Sequence, residues 1–113
     1  MKKVYVAAKW EERERAHEVM TILRTAGHVI TYDWTNQEQE SQAQAECDRS
    51  GVLDAEVFVL LAEKDLPMRG AWVEFGIAVT KRIPIYVLGA YADPCIFLQL
   101  PFVRRINSLA EIV

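Results

Sequence analysis

Short apolar runs alternate with longer segments of helical periodicity along most of the chain. Lys3-Val4-Tyr5-Val6-Ala7-Ala8 is brief and β-prone, and in Trp10 to Ala26 the residues Ala16, Val19, Met20, Leu23 and Ala26 recur at helical spacing. Gly27 supplies a helix stop, and His28-Val29-Ile30-Thr31-Tyr32 reads as a second strand. A polar helix is predicted from about Gln37 to Ser50, closed by Gly51. Its first part, Gln37 to Ala45, is rich in Gln and Glu and reads as a solvated face. Ala55 to Ala62 is a continuous apolar run bounded by charges, as in a strand covered on both faces of a parallel sheet, and is expected at the centre of the fold. A helix over Ala71 to Lys81 and a strand over Ile83 to Leu88 follow, with Pro84 tolerated only among a strand's first residues. The tail offers a weaker segment at Cys95 to Leu100, a strand candidate at Phe102-Val103, and a last helical turn opened by Asn107 or Ser108.

This alternation predicts an α/β three-layer sandwich: a Rossmann/flavodoxin-like open parallel sheet of four to five strands with right-handed crossovers. A length of 113 residues suits one domain. Ligands of such sheets bind beyond the carboxyl ends of the strands, which directs attention to 8–13, 33–36, 63–70 and 89–93. Composition narrows the partners. With 51% hydrophobic and 26% charged residues and a net charge of −3, the chain is neither disordered by composition nor basic enough to expect a nucleic-acid polymer as partner. No apolar run approaches the roughly 20 residues that span a bilayer, and Met1-Lys2-Lys3 leads into only a short strand-like run, so a soluble cytoplasmic protein is expected. Cys47 and Cys95 lack metal-ligand spacing, and His17 and His28 stand without a partner cluster, so neither a metal, a disulfide framework nor a cofactor is expected.

The segment Arg69-Gly70-Ala71-Trp72-Val73-Glu74-Phe75-Gly76-Ile77-Ala78 turns from a loop at a strand's carboxyl end into a helix. Glu74 is expected in the first turn, where the positive end of the helix favours an ionised carboxylate suited to attack on an electrophilic carbon. Acids are also common in first turns for that electrostatic reason alone. Gly76 costs the helix roughly 1 kcal/mol relative to Ala, which suits close packing on the sheet or close approach of a ligand.

These residues, together with others upstream, resemble the nucleoside 2-deoxyribosyltransferase-like superfamily, which includes the 2′-deoxynucleoside 5′-phosphate N-hydrolases. The resemblance covers nearly the whole chain. It is carried by the strand leading into Tyr5-Val6-Ala7-Ala8-Lys9-Trp10, by Asp48 eight residues ahead of Glu56 in Ala55-Glu56-Val57-Phe58-Val59-Leu60, by Gly70 before Glu74-Phe75-Gly76-Ile77-Ala78, and by Lys81-Arg82-Ile83-Pro84-Ile85-Tyr86-Val87. It implies that Glu74 attacks the anomeric carbon to give a covalent glycosyl intermediate, that Tyr5 orients Glu74, and that Asp48 holds or protonates the leaving base, a division of labour like that of a retaining glycosidase. The predicted helix puts Asp48 near the end away from the cleft, so a surface acid is its alternative reading.

Two departures bear on the substrate. Met68 stands where the transferases carry an aspartate and the nucleotide hydrolases a phosphate-binding serine. The first loop, Ala8-Lys9-Trp10-Glu11-Glu12-Arg13, also lacks the glycine and serine of a backbone phosphate cradle. Lys9, Arg13 and Arg69 are then the side chains that could meet a phosphate; otherwise each is a solvated cation. Trp10 and Trp34 lie at strand carboxyl ends as candidate pocket walls, and Ala8, Met68 and Gly70 complete the candidate substrate-binding set. Trp72, roughly 200° around the helix from Glu74, is expected in the core or at a subunit contact. Asp33 and Asp65 fall in cleft loops, where they either bind sugar hydroxyls or, the simpler expectation, cap or are solvated, and His17 is expected on the surface.

The expected function is cleavage or transfer at the N-glycosidic bond of a (deoxy)nucleoside or its 5′-monophosphate. The alternatives are a non-catalytic nucleotide-sensing domain on the same fold, favoured by Met68, and a structural interaction domain. Water or a second base completes the reaction, according to how well the closed site excludes water. A homodimer or larger assembly is expected, with an isologous contact covering residues such as Trp72 or Phe97.

Overall fold

The computed structural model describes residues 1–37, 40–65, 67–91 and 95–112. Five strands, β1 (Lys3–Ala7), β2 (Val29–Ile30), β3 (Val57–Leu61), β4 (Ile85–Leu88) and β5 (Val103–Ile106), form one parallel sheet in the order β2-β1-β3-β4-β5. Three α-helices connect them: α1 (Arg13–Thr25), α2 (Gln42–Asp54) and α3 (Gly70–Lys81). The all-parallel sheet with helical crossovers is the open α/β arrangement predicted from the alternating pattern. Every residue of β3 is buried, as the unbroken apolar run required, and β3 is the middle strand.

Strand order reverses at β1. The chain leaves β1 toward β2 on one side, then returns over β1 through α2 to reach β3 on the other, and right-handed crossovers in opposite directions place α1 and α2 on opposite faces. The crevice opened at such a reversal lies beyond the carboxyl ends of β1 and β3.

The elements differ from the predicted ones where tertiary contacts decide their limits. β2 is an edge strand of two paired residues, Val29 opposite Lys3 and Ile30 opposite Val4, because only one side of it has a neighbour. The segment from Trp10 begins as a 3₁₀ turn (Trp10–Glu12) before α1 starts, and α1 ends at Thr25, followed after Ala26 by Gly27, whose φ of 96° only glycine adopts readily. The tail supplies β5 over four residues rather than two, and Ser108 opens the last 3₁₀ turn through a capping box with Glu111.

The largest correction concerns α2. It starts at Gln42, with the Ser41 hydroxyl accepting the Gln44 backbone N–H at 3.2 Å, and it runs through Gly51 to Asp54. The predicted start at Gln37 fails, and the residues 38 and 39 of that stretch lie outside the described residues. Gly51 is not a stop. A Cβ there would come within 2.8 Å of Tyr32 Cβ and 3.0 Å of Tyr5 Cε2, so glycine lets α2 lie directly on the sheet. Lys81 of α3 closes the other end of α2 by donating to the carbonyls of Leu53 and of Ala55, the latter at 2.8 Å. Gly51→Ala is expected to destabilise the protein by about 1–3 kcal/mol through overpacking, measured as a lower urea midpoint, where an ordinary mid-helix Gly→Ala change would stabilise.

Candidate functional site

A cavity of about 740 Å³ opens at the carboxyl ends of β1 and β3. One wall comes from the segment after β1 (Ala8, Lys9, Trp10, Glu11), another from α2 and the chain before it (Gln37, Glu40, Ser41, Gln44, Asp48). The third comes from the start of α3 (Arg69, Gly70, Ala71, Glu74). The fold therefore sets the site at the reversal of strand order, where three of the four expected loops converge. The fourth, 89–93, contributes none of its described residues, and Asp93 lies outside them.

At the base of the cavity the Tyr5 hydroxyl donates to Glu74 Oε2. Tyr5 is completely buried, its ring stacked on Phe58 with centroids 5.9 Å apart. Burial and the neighbouring Glu74 carboxylate push the phenol far above its ordinary pKa, so it remains a neutral donor at any working pH. Glu74 feels opposed influences. Its pKa is raised from 4.5 to about 8: burial raises it most, the Tyr5 hydrogen bond opposes that rise, and the Asp48 carboxylate adds to it. Asp48 is also raised by burial, offset by Gln37 Nε2, which donates to Asp48 Oδ1 at 3.0 Å and to the Tyr32 hydroxyl at 3.1 Å. Two interacting carboxyls with raised pKa values, one held by a neutral phenol and one by an amide, form a pair able to hold a proton near neutral pH.

Glu74 does not lie in the first turn of α3; it is the fifth residue, because the helix begins at Gly70 rather than Ala71. Its chemistry therefore comes from burial and Tyr5, with little from the helix end. Asp48 is likewise not at the far end of its helix. The later start and longer reach of α2 make it the seventh of 13 residues, facing the cavity.

The residues expected around the substrate divide into two groups. Ala8, Trp10, Trp34, Arg69 and Gly70 line the cavity, and Trp34 is fixed by its Nε1–H donating to the Val6 carbonyl at 2.7 Å. The Trp10 and Trp34 rings lie 6.4 Å apart. Lys9 also lines it, but its side chain is buried: Nζ donates to the Lys64 carbonyl at 3.0 Å and lies 3.9 Å from Glu12. It is neither a solvated cation nor one extended toward a ligand. Arg13 lies over the outer side of the site, its guanidinium 4.6 Å from the Trp10 ring centroid, and borders a separate small cavity with His17. Met68 is buried and lines neither cavity.

No protein-family model and no curated protein sequence matches the chain.

Glu11, Gln37, Glu40, Ser41, Gln44 and Ala45 line the cavity, although the pattern from Gln37 to Ala45 read as a solvated face. The available signal was Gln44 four residues before Asp48, a spacing that puts both on one side of a helix. Outside the site, Trp72 packs edge-on against Phe75 at 5.2 Å and lies partly buried against the core, the first of its two expected places; Val73 is an exposed apolar residue of the same helix. Asp33 accepts from the Thr35 backbone N–H at 2.9 Å and lies 3.7 Å from His17, a local turn rather than a sugar contact. Among the described residues no cluster of His, Cys, Asp or Glu could hold a metal ion, and no helix is long and apolar enough to cross a membrane.

Proposed function

We propose that the protein cleaves or transfers the N-glycosidic bond of a (deoxy)nucleoside or nucleotide, as the resemblance to the nucleoside 2-deoxyribosyltransferase-like superfamily implies. The observation that carries this reading is the buried Tyr5 hydroxyl donating to Glu74 at the base of a cavity that also contains Asp48. Glu74, ionised, attacks C1′ of the sugar. The C1′–N bond breaks, its electron pair passes to the base nitrogen, and the Asp48 carboxyl or Gln37 beside it meets the departing base, Asp48 supplying a proton when protonated. Water, or the nitrogen of a second base, then attacks C1′ as its bond to the Glu74 oxygen breaks; the attacking group's proton passes to the Asp48 carboxylate, and Glu74 leaves as the free carboxylate. Tyr5 holds the attacking oxygen in place, and Trp10 offers an aromatic face to the base or sugar. The electrophile is the sugar's own carbon, so this scheme uses no cofactor.

A cytoplasmic location and a homodimer or larger assembly belong to the same proposal, the latter supported by exposed Val73, Ile96 and Phe97. The deciding experiment is chromatographic detection of free base from ribo- and deoxynucleosides and their 5′-monophosphates, with and without an acceptor base. Base release or exchange is the expected result. Ligand-dependent stabilisation without either would replace this reading with a sensing role.

A further inference from the structure

The charges around the cavity are unbalanced. Glu11, Glu40, Asp48 and Glu74 line it, against Lys9 and Arg69. The Lys9 ammonium is committed to Glu12 and the Lys64 carbonyl inside the protein, and Arg13 is stacked on Trp10 outside the cavity. Among the described residues, Arg69 is thus the one lining cation not engaged elsewhere, and it shares the cavity with Glu11 and Glu40, both exposed to solvent. A second observation points to the polarity of the ligand: Gln44 lines the cavity and its Oε1 is buried with no hydrogen-bond partner among the described residues. A buried acceptor of this kind is satisfied by a hydroxyl or amino group and not by phosphate oxygens, which are themselves acceptors.

We propose that Glu11 and Glu40 are specificity determinants that admit uncharged nucleosides to this cavity and repel their 5′-phosphates. The inference rests on the nucleoside reading above and narrows it. A phosphate dianion would face two exposed carboxylates with one available guanidinium. It would also hold Glu74 protonated through added negative charge, when attack requires the carboxylate. An uncharged nucleoside meets neither obstacle; the exocyclic amino and sugar hydroxyl groups that can donate to Gln44 Oε1 are common to nucleoside and nucleotide, so the discrimination rests on Glu11 and Glu40.

The test compares the four common 2′-deoxynucleosides with their 5′-monophosphates, by thermal shift and by base release, for wild type and for the Glu11→Gln/Glu40→Gln double variant. Both positions are exposed, so the variant is expected to fold, which its own melting curve checks. Wild type should favour nucleosides in kcat/KM by about tenfold or more, as one to two charge repulsions in a wetted cleft produce. The double variant should narrow that ratio by at least about threefold through a lower KM for the monophosphates, and added salt should narrow it for wild type. Monophosphates used as well as nucleosides by wild type, or an unchanged ratio in the variant, would overturn the proposal. Nucleoside-selective stabilisation without base release would sink the glycosidic chemistry and keep the selectivity. Absence of stabilisation by every compound would overturn both.

Discussion

Glu74→Gln protein is expected to bind nucleosides and to lose base release by at least about 10³-fold, because an amide keeps the shape and the Tyr5 contact but has no anionic oxygen to attack carbon. Chromatography measures the loss, and thermal shift with nucleoside measures the retained binding. The same group sets the pH profile. With its pKa raised from 4.5 to about 8, Glu74 is mostly protonated at neutral pH, so wild-type kcat/KM should climb as pH rises through about 8. The apparent value belongs to the interacting pair of Glu74 and Asp48. Stability moves the opposite way. A carboxyl whose folded pKa is raised contributes stability that is fully present below pH 4.5 and lost as pH rises through about 8. Glutamine does not titrate, so urea midpoints of wild type and Glu74→Gln should agree at pH 4. They should diverge in favour of the variant by up to several kcal/mol near pH 9. Parallel stability curves would show that Glu74 is not the buried titrating group.

Lys9→Met should be among the most damaging substitutions outside Glu74 and Asp48. Glu12 is 3% exposed and both its carboxylate oxygens lack a hydrogen-bond partner among the described residues, leaving the Lys9 ammonium at 3.9 Å as its nearest compensation. Removing one partner of a buried pair costs about 3–5 kcal/mol, because the other charge remains desolvated. Burial raises the pKa of Glu12, and Lys9 opposes that rise, so the variant should lose further stability as pH increases and Glu12 is forced to ionise. Lys9→Met combined with Glu12→Leu should recover most of the loss, as measured by urea denaturation, since an apolar pair of similar volume needs no compensation. A deficit equal in the single and double variants would locate the cost in the lost Lys9 to Lys64 contact instead.

Strand positions and the carboxyl-end location of the site were legible because burial on two faces writes itself into composition. The apolar run of β3 can be read without any knowledge of its neighbours. The limits of α2 were not, because glycine has two opposite uses. At Gly27 it serves the backbone, in a left-handed turn; at Gly51 it serves packing, by omitting the carbon that would strike Tyr5 and Tyr32. Only the sheet beneath distinguishes them. Misjudging that one residue moved α2 and with it Asp48. The Gln37 to Ala45 segment reads as a solvated face for another reason, its richness in Gln and Glu, although Gln37, Glu40, Ser41, Gln44 and Ala45 line the cavity. Lys9 failed for a related reason. A lysine beside a strand's end looks like a cation for a ligand, and the carbonyl of Lys64, 55 residues away, carries no sequence signal that it will be the acceptor.

Tyr5 also lies in the middle of a ladder. β1 pairs with β3 so that Tyr5 stands opposite Phe58, flanked by Val4 against Val57 and Val6 against Val59. Neighbouring side chains of a strand face opposite sides, so a shift of β1 by a single residue would carry the phenol to the other face of the sheet and leave Glu74 beside a valine. The alignment of two buried strands therefore acts as the calibration of the Glu74 carboxyl, and a sequence change deep in that seam, touching nothing in the cavity, would be felt first as a displaced Tyr5–Glu74 contact.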